Sequence, residues 1–265
     1  MNSQKPVKTV TFIILIALSS CSWALNLRVD FRWHDKPISI PTTGLVTPAG
    51  ESFSLTRLDF LLNQPHLTLA SGRTISASKW NAYIHGEKPE ILRLPSLPDE
   101  PIQKLTLHLG PSDEINHGNA NQYPPDHALN PLHNGLHWEP QSGYIFLALE
   151  GQLPKQELAF SYHYGNSENR LALDFKGPFD PQGFYQLTFH LDRVFPAPFR
   201  LSEQTSTHSR LDDPILPHFQ KTLPQAFTLT KINSPAPQGA QEQACLLYTS
   251  PSPRDQRGSR MPSSA

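Results

Sequence analysis

The segment LNLRVDFRW, residues 25–33, alternates apolar and polar side chains with a period of two. This spacing predicts a β-strand with one buried face, because successive side chains of a strand point to opposite sides. Alternation or short apolar runs between turn residues predict further strands at Leu105–Leu109, Tyr144–Leu149, Leu158–Tyr164, Leu171–Phe175 and Tyr185–Leu191. Residues 53–62, FSLTRLDFLL, fit either a strand or a short helix.

The order of these segments predicts the fold class. Many short strands without a regular alternation of strands and helices indicate an all-β, mainly antiparallel, β-sandwich-like domain with long loops. One helix is expected near the end, since an apolar residue recurs every four positions from Ile215 to Phe227 after the helix-start signal Asp213-Pro214. Because Pro217 and Pro224 fall within it, we expect this helix to be short or broken.

Residues 1–24 have the pattern of an export signal: a basic start, an apolar run and a small-residue cleavage site ending at Ala24. The apolar run is much shorter than the ~20 residues of a membrane-spanning helix. The alternative is a lipoprotein signal at Leu18–Cys21, which would make a lipid on Cys21 the only attachment to a membrane. Either route predicts a periplasmic protein.

Residues 244–265 differ in pattern from the rest and resemble a translated sequencing adaptor, with a disordered native tail as the alternative. The predicted domain therefore spans residues 25–243. Both cysteines, Cys21 and Cys245, lie outside it, so the domain can form no disulfide, thiolate zinc site or blue-copper site with a cysteine ligand. A formal net charge of -1 gives no reason to expect nucleic acid as a partner.

A long loop, YPPDHALNPLHNGLHW at residues 123–138, concentrates the residues with metal chemistry. Its prolines exclude a long helix or a central strand, and a long loop beside a rigid strand usually carries function. Neutral imidazole binds copper and zinc well. The candidates are His127, His133, His137 and Trp138 in this loop, His163 at the end of a predicted strand, and His208 in TSTHSRLDDP.

The residues alone leave three functions open. A single loop histidine is usually a surface residue and Trp138 equally fits a hydrophobic plug, so one hypothesis is a metal-free periplasmic module for a small ligand or a protein. A metal-dependent hydrolase would need an activated water and a carboxylate base, and no spacing supplies them. The chain also lacks the G-x-S-x-G, P-loop, HExxH and dinucleotide-binding signatures, so we do not expect an enzyme.

Six motifs, in order, resemble the MbnP family of periplasmic copper-binding proteins, which is named from the methanobactin operon. They are SLTRLDFLL (54–62), KWNAY (79–83), LHLGPSDEIN (107–116), PPDHALNPLHNGLHW (124–138), FSYH (160–163) and THSRLDDP (207–214). The resemblance extends from Leu25 to about Phe227, and the fourth motif is long and specific.

The resemblance implies a β-rich copper protein whose site includes a tryptophan oxidised to kynurenine. It also implies a partner that carries out this oxidation, MbnH, a di-haem protein of the bacterial cytochrome c peroxidase type. Opening the indole ring yields an aromatic amine and a ketone, which are metal donors that intact indole lacks. The implied function is copper binding in copper acquisition or handling, without enzymatic activity.

Carried over to this chain, the resemblance makes Trp138 the expected kynurenine and His137 and His208 the leading copper ligands. The reserve ligands are His163, His133 and His127, the alternative modification sites are Trp80 and Trp33, and the residues expected to orient imidazoles are Asp126, Asn130 and Asn134. Relatives favour Gly-Trp where this chain has Glu139-Pro140, a difference expected to reshape the loop.

Overall fold

Strands form most of the regular structure in the computed structural model, which describes residues 23–88, 90–138, 142–210 and 212–234. They are β1 (Trp23–Trp33), β2 (Lys36–Pro37), β3 (Thr42–Val46), β4 (Ser52–Leu69), β5 (Thr74–Ser76), β6 (Asn81–Ile84), β7 (Ile91–Leu97), β8 (Ile102–Leu109), β9 (Ile145–Leu153), β10 (Leu158–Gly165), β11 (Leu171–Phe179), β12 (Phe184–His190), β13 (Ser206–Thr207) and β14 (Phe227–Ile232). The helices are α1 (Asp113–Asn116), α2 (Pro131–Asn134) and α3 (Leu216–Ala226), and 3-10 turns lie at Ala120–Gln122, Ser167–Asn169 and Leu191–Arg193. The expected lipidation site Cys21, the altered pair Glu139-Pro140 and the adaptor-like tail, residues 244–265, lie outside the described residues.

The strands form two sheets, which confirms the predicted all-β, sandwich-like architecture. The first sheet has the order β14-β12-β1-β2, with β7 also paired to β1. The second has the order β11-β8-β4-β9-β10-β13, and β3, β5 and β6 also pair with β4. Most pairs are antiparallel, but β1 pairs with β12 and β10 with β13 in parallel. The parallel pairing of β1 with β12, together with the antiparallel pairing of β12 with β14, brings the beginning and the end of the described chain into one sheet.

Strand β4 resolves the ambiguous segment FSLTRLDFLL as strand, and it extends over 18 residues. Phe60 pairs with Ile84 of β6 on one edge of β4 and with Leu147 of β9 on the other. Residues 58–62 are all buried, so both faces of the strand are covered at this point. A strand buried on both faces shows no period of two, which is why its sequence did not distinguish strand from helix.

The ring of Phe60 joins the two sheets. It lies edge-on to Phe31 of β1 and to Phe227 of β14, with ring centroids 6.3 and 5.4 Å apart, and it stacks on Phe189 of β12 at 5.9 Å. All four side chains are buried. Buried aromatic side chains contribute large areas of apolar contact, so this cluster fixes the second sheet against the first.

Helix α3 is short, as predicted, but it is continuous rather than broken and begins at Leu216 instead of Pro214. Pro217 lies in its first turn, where no intrahelical amide bond is lost, and Pro224 lies in its last turn. Phe227, expected as the last apolar position of the helix, instead begins β14. No helix among the described residues is long and apolar enough to cross a membrane.

Replacing Phe60 with alanine is expected to reduce the free energy of unfolding by about 3–5 kcal/mol, because it removes a ring from the centre of the core. Urea unfolding followed by circular dichroism measures this change. The control is Val46→Ala in β3, where the side chain is 51% exposed. That substitution should change the free energy by no more than about 0.5 kcal/mol. Equal losses in the two variants would contradict the central role of Phe60.

Candidate metal site

Two asparagines fix the shape of the loop that leads to β9. The side chain of Asn130 caps α2 by accepting a hydrogen bond from the amide of Leu132 at 2.9 Å. The buried side chain of Asn134 accepts from the amide of Leu136 and donates to the carbonyl of Ala128, each at 2.7 Å. These amide groups therefore organise backbone, and the prediction that they orient imidazoles is wrong in this structure.

His137 is held at the point where the loop joins the second sheet. Its backbone forms a bridge with Tyr144, and its ring lies edge-on to the Tyr144 ring with centroids 4.7 Å apart. Its Nδ1 forms a hydrogen bond with the carbonyl oxygen of Trp138. A carbonyl can only accept, so Nδ1 carries the proton and Nε2 retains a free lone pair. This Nε2 atom is buried and has no hydrogen-bond partner among the residues that the structure describes.

Trp138 packs against β10 at a position where only glycine fits. A Cβ on Gly165 would lie 2.8 Å from the Cη2 and Cζ3 atoms of the indole. The indole Nε1 is also buried without a partner, and among the described residues the only other such side-chain atom is Oδ1 of Asn63. Leaving a buried polar group unpaired costs about 1–3 kcal/mol, so two such nitrogens on adjacent residues require an explanation.

The segment that carries His208 is bound to β10 through its neighbour, Ser209. The Ser209 hydroxyl donates to the carbonyl of His163 at 3.0 Å and accepts from the amide of Gly165 at 2.9 Å. His208 itself is exposed and lines a pocket of about 820 Å³ together with His137 and Trp138. The structure therefore brings the three leading candidates to one pocket, although His137 and His208 are 71 residues apart along the chain.

His163 lies next to His208 but outside the lining of this pocket. The two rings are edge to face, with centroids 5.6 Å apart. The Nε2–H of His163 donates to the Glu150 carboxylate at 2.9 Å. Partial burial alone would raise the pKa of Glu150, but this hydrogen bond and the charge of Arg57 outweigh it and hold the pKa below its ordinary value.

The other two reserve histidines line a different pocket, of about 480 Å³, with Trp80 and Tyr83. His133 is exposed, and its ring lies edge-on to Tyr83 at 5.5 Å. His127 stacks on Tyr123 at 4.6 Å, and its Nδ1 accepts from the amide of Leu129 at 3.1 Å, so in the neutral ring Nε2 holds the proton. Burial lowers the pKa of His127 more than the nearby Asp126 raises it. Neither residue is placed with His137 and His208.

His117 is a pocket residue that the sequence did not indicate. It lines the same pocket as His137 and His208, beside Ser142, Asn166 and Arg210. Its Nε2 lies 3.2 Å from the hydroxyl of Ser167 and 3.4 Å from the carboxylate of Asp113. The sequence feature that could have indicated His117 is its position directly after the motif LHLGPSDEIN.

The donor set limits the kind of metal site that fits. Within the part of the chain that the structure describes, no group of three or more His, Cys, Asp or Glu side chains is arranged to hold a metal ion. The imidazoles of His117, His137 and His208 line one pocket, and the neighbouring Trp138 carries an unpaired indole nitrogen. The pocket thus suits an ion that accepts few nitrogen ligands, and it is incomplete for a tetrahedral structural zinc site.

Comparison with known proteins agrees with the motifs. The MbnP family model matches residues 23–212. MbnP from Methylosinus trichosporium has a similar structure, with a TM-score of 0.57 and 14% sequence identity, covering 80% of this chain and 99% of that chain. No curated protein matches the chain. At 14% identity the structural similarity shows the shared fold, and the family match over most of the chain shows that this protein belongs to the MbnP family.

Proposed function

We propose that this protein binds copper between His137 and His208, with Trp138 as a third donor after its oxidation to kynurenine. The observation that carries the proposal is the buried Nε2 of His137, which has a free lone pair and no hydrogen-bond partner in the described part of the chain. Neutral imidazole nitrogen is a good copper ligand, and a fixed tautomer with a free Nε2 is the form that binds metal. His208 in the same pocket supplies a second imidazole.

The position of Trp138 supports its assignment as the modified residue. Intact indole has only an N–H donor and no lone pair for a metal, so Trp138 as encoded adds no ligand. Kynurenine would supply an aromatic amine and a ketone. Trp80 is a less suitable candidate, since its Nε1 donates to the carbonyl of Arg93 at 2.8 Å, and Trp33 is a buried residue of the core. A di-haem partner of the cytochrome c peroxidase type is the proposed oxidant.

We further propose that the protein acts in the periplasm, in copper acquisition or handling, by binding rather than by catalysis. A hydrolase built on the same histidines would need a carboxylate base. The residues described as lining the pocket include the bases His117, His137 and His208 and the cation Arg210, but no Asp or Glu.

Replacing His137 or His208 with alanine is expected to abolish stoichiometric copper binding, because each substitution removes one imidazole from a site with few donors. The loss should exceed the roughly 10- to 100-fold change typical of groups that only orient a ligand. Competition against a coloured chelator measures affinity for Cu(I) under reducing conditions and for Cu(II) in air. The matched control is His133→Ala, four residues earlier in the same loop but facing the other pocket.

If His133→Ala loses copper and His137→Ala retains it, the ligand assignment is wrong. If the wild-type protein, produced with its oxidising partner, takes up no copper, the metal-free binding module becomes the better hypothesis.

Mass spectrometry of protein produced with the di-haem partner tests the modification. The peptide that carries Trp138 should show the mass change for two oxygen atoms gained and one carbon monoxide lost. The peptide that carries Trp80 serves as an internal control and should be unchanged, since Trp80 lines the other pocket, away from His137 and His208. An unmodified Trp138 in protein that still binds copper would remove kynurenine from the proposed site.

A further inference from the structure

We infer that Arg57 and Glu150 are positioning residues that hold the two ligand-bearing segments of the copper site in one arrangement. This inference rests on the proposed function, because it concerns the spacing of His137 and His208. Neither Arg57 nor Glu150 lines the pocket, and neither is assigned as a ligand. Their part in the site follows from the contacts of one half-buried network on the face of the second sheet.

Arg57 connects strand β4 to the loop that carries His137. Its Nε donates to the Asp59 carboxylate at 2.7 Å, and its Nη1 donates to Glu150 at 3.2 Å. Its Nη2 donates to the backbone carbonyl of Gly135 at 3.2 Å, two residues before His137. The guanidinium is planar and presents its donors in a fixed fork, so it fixes the loop relative to both β4 and Glu150.

Glu150 extends the network to the segment that carries His208. The carboxylate oxygen that accepts from Arg57 also accepts from Nε2 of His163, at 2.9 Å. The ring of His163 in turn packs edge to face with His208 at 5.6 Å. Because His208 is exposed and no hydrogen bond of its ring is evident among the described contacts, this packing is a direct constraint on its orientation.

The network therefore contacts both ligand-bearing segments, although neither Arg57 nor Glu150 lines the pocket. One end reaches the backbone beside His137 through Gly135, and the other reaches the ring of His208 through His163. Groups that orient metal ligands in this way typically change metal affinity by about 10- to 100-fold when they are removed. We expect changes of this size at Arg57 and Glu150, in contrast to the larger loss from removing a ligand.

Three variants test whether Arg57 and Glu150 position the histidines or only stabilise the fold. Arg57→Lys keeps the positive charge but loses the fork, and Glu150→Ala removes the shared acceptor. Glu150→Gln retains an oxygen that can accept from His163 and should give an intermediate result. The control is Lys104→Met, which breaks a comparable half-exposed ion pair with Asp174 on β8 and β11, at 3.0 Å, outside the pocket lining.

Two measurements are made on each variant with its melting temperature as a check on folding. Copper affinity should fall about 10- to 100-fold for Arg57→Lys and Glu150→Ala and should be unchanged for Lys104→Met. In metal-free protein, the imidazole NMR signals of His137 should move in Arg57→Lys, and those of His208 should move in Glu150→Ala. The second measurement does not depend on copper.

The inference is overturned if the imidazole signals of both variants match those of the wild type, or if the signals move while copper affinity stays the same. A wild-type protein that binds no copper would refute the proposed function instead. In that case the NMR signals still decide whether Arg57 and Glu150 position the two histidines.

Discussion

The contact between Trp138 and Gly165 is the constraint on which the candidate site depends. The indole lies so close to β10 that a methyl group on Gly165 would overlap it. The backbone bridge between His137 and Tyr144 fixes the same stretch of loop from the other side. Both contacts restrict the position of His137 relative to the second sheet. The segment of His208 is bound to that strand too, since Ser209 hydrogen-bonds to the backbone of Gly165. Trp138 and the segment of His208 therefore both contact β10 at Gly165.

The histidines of the loop differ in chemistry because their backbone partners differ. In His137 the Nδ1–H donates a hydrogen bond to a carbonyl and Nε2 is left with a free lone pair, whereas in His127 Nδ1 accepts from a backbone amide and the proton lies on Nε2. Residue type and loop composition alone do not distinguish the two, since each is a histidine in the same proline-rich loop. The hydrogen bond of Nδ1 therefore distinguishes His137, the proposed ligand, from His127, which stacks on Tyr123.

Much of the fold could be predicted from the sequence, because exposed and buried side chains alternate in strands such as Leu25–Trp33. The pattern failed in β4, whose burial on both faces removes alternation, and at α3, where Pro217 was taken as a disruption although it lies in the first turn. The parallel pairing of β1 with β12 depends on contacts across the whole chain and leaves no local signal. For the site, the motifs indicated His137, Trp138 and His208 and ranked His133 below His137, but they did not indicate that His133 faces a different pocket or that His117 lines this one.

The two unpaired nitrogens of His137 and Trp138 are more informative together than separately. A protein that stayed as encoded would carry both desolvation costs, about 1–3 kcal/mol each, with no compensating bond. Oxidation of the indole and binding of a metal would relieve both, because the Nε2 lone pair gains an acceptor and the indole N–H is replaced by an amine with a lone pair. The encoded structure is therefore the less stable partner of the proposed modified and metal-bound form. In the proposed function, an ion would meet a loop that its contacts with Gly165 and Tyr144 already order, so binding would not have to organise the loop.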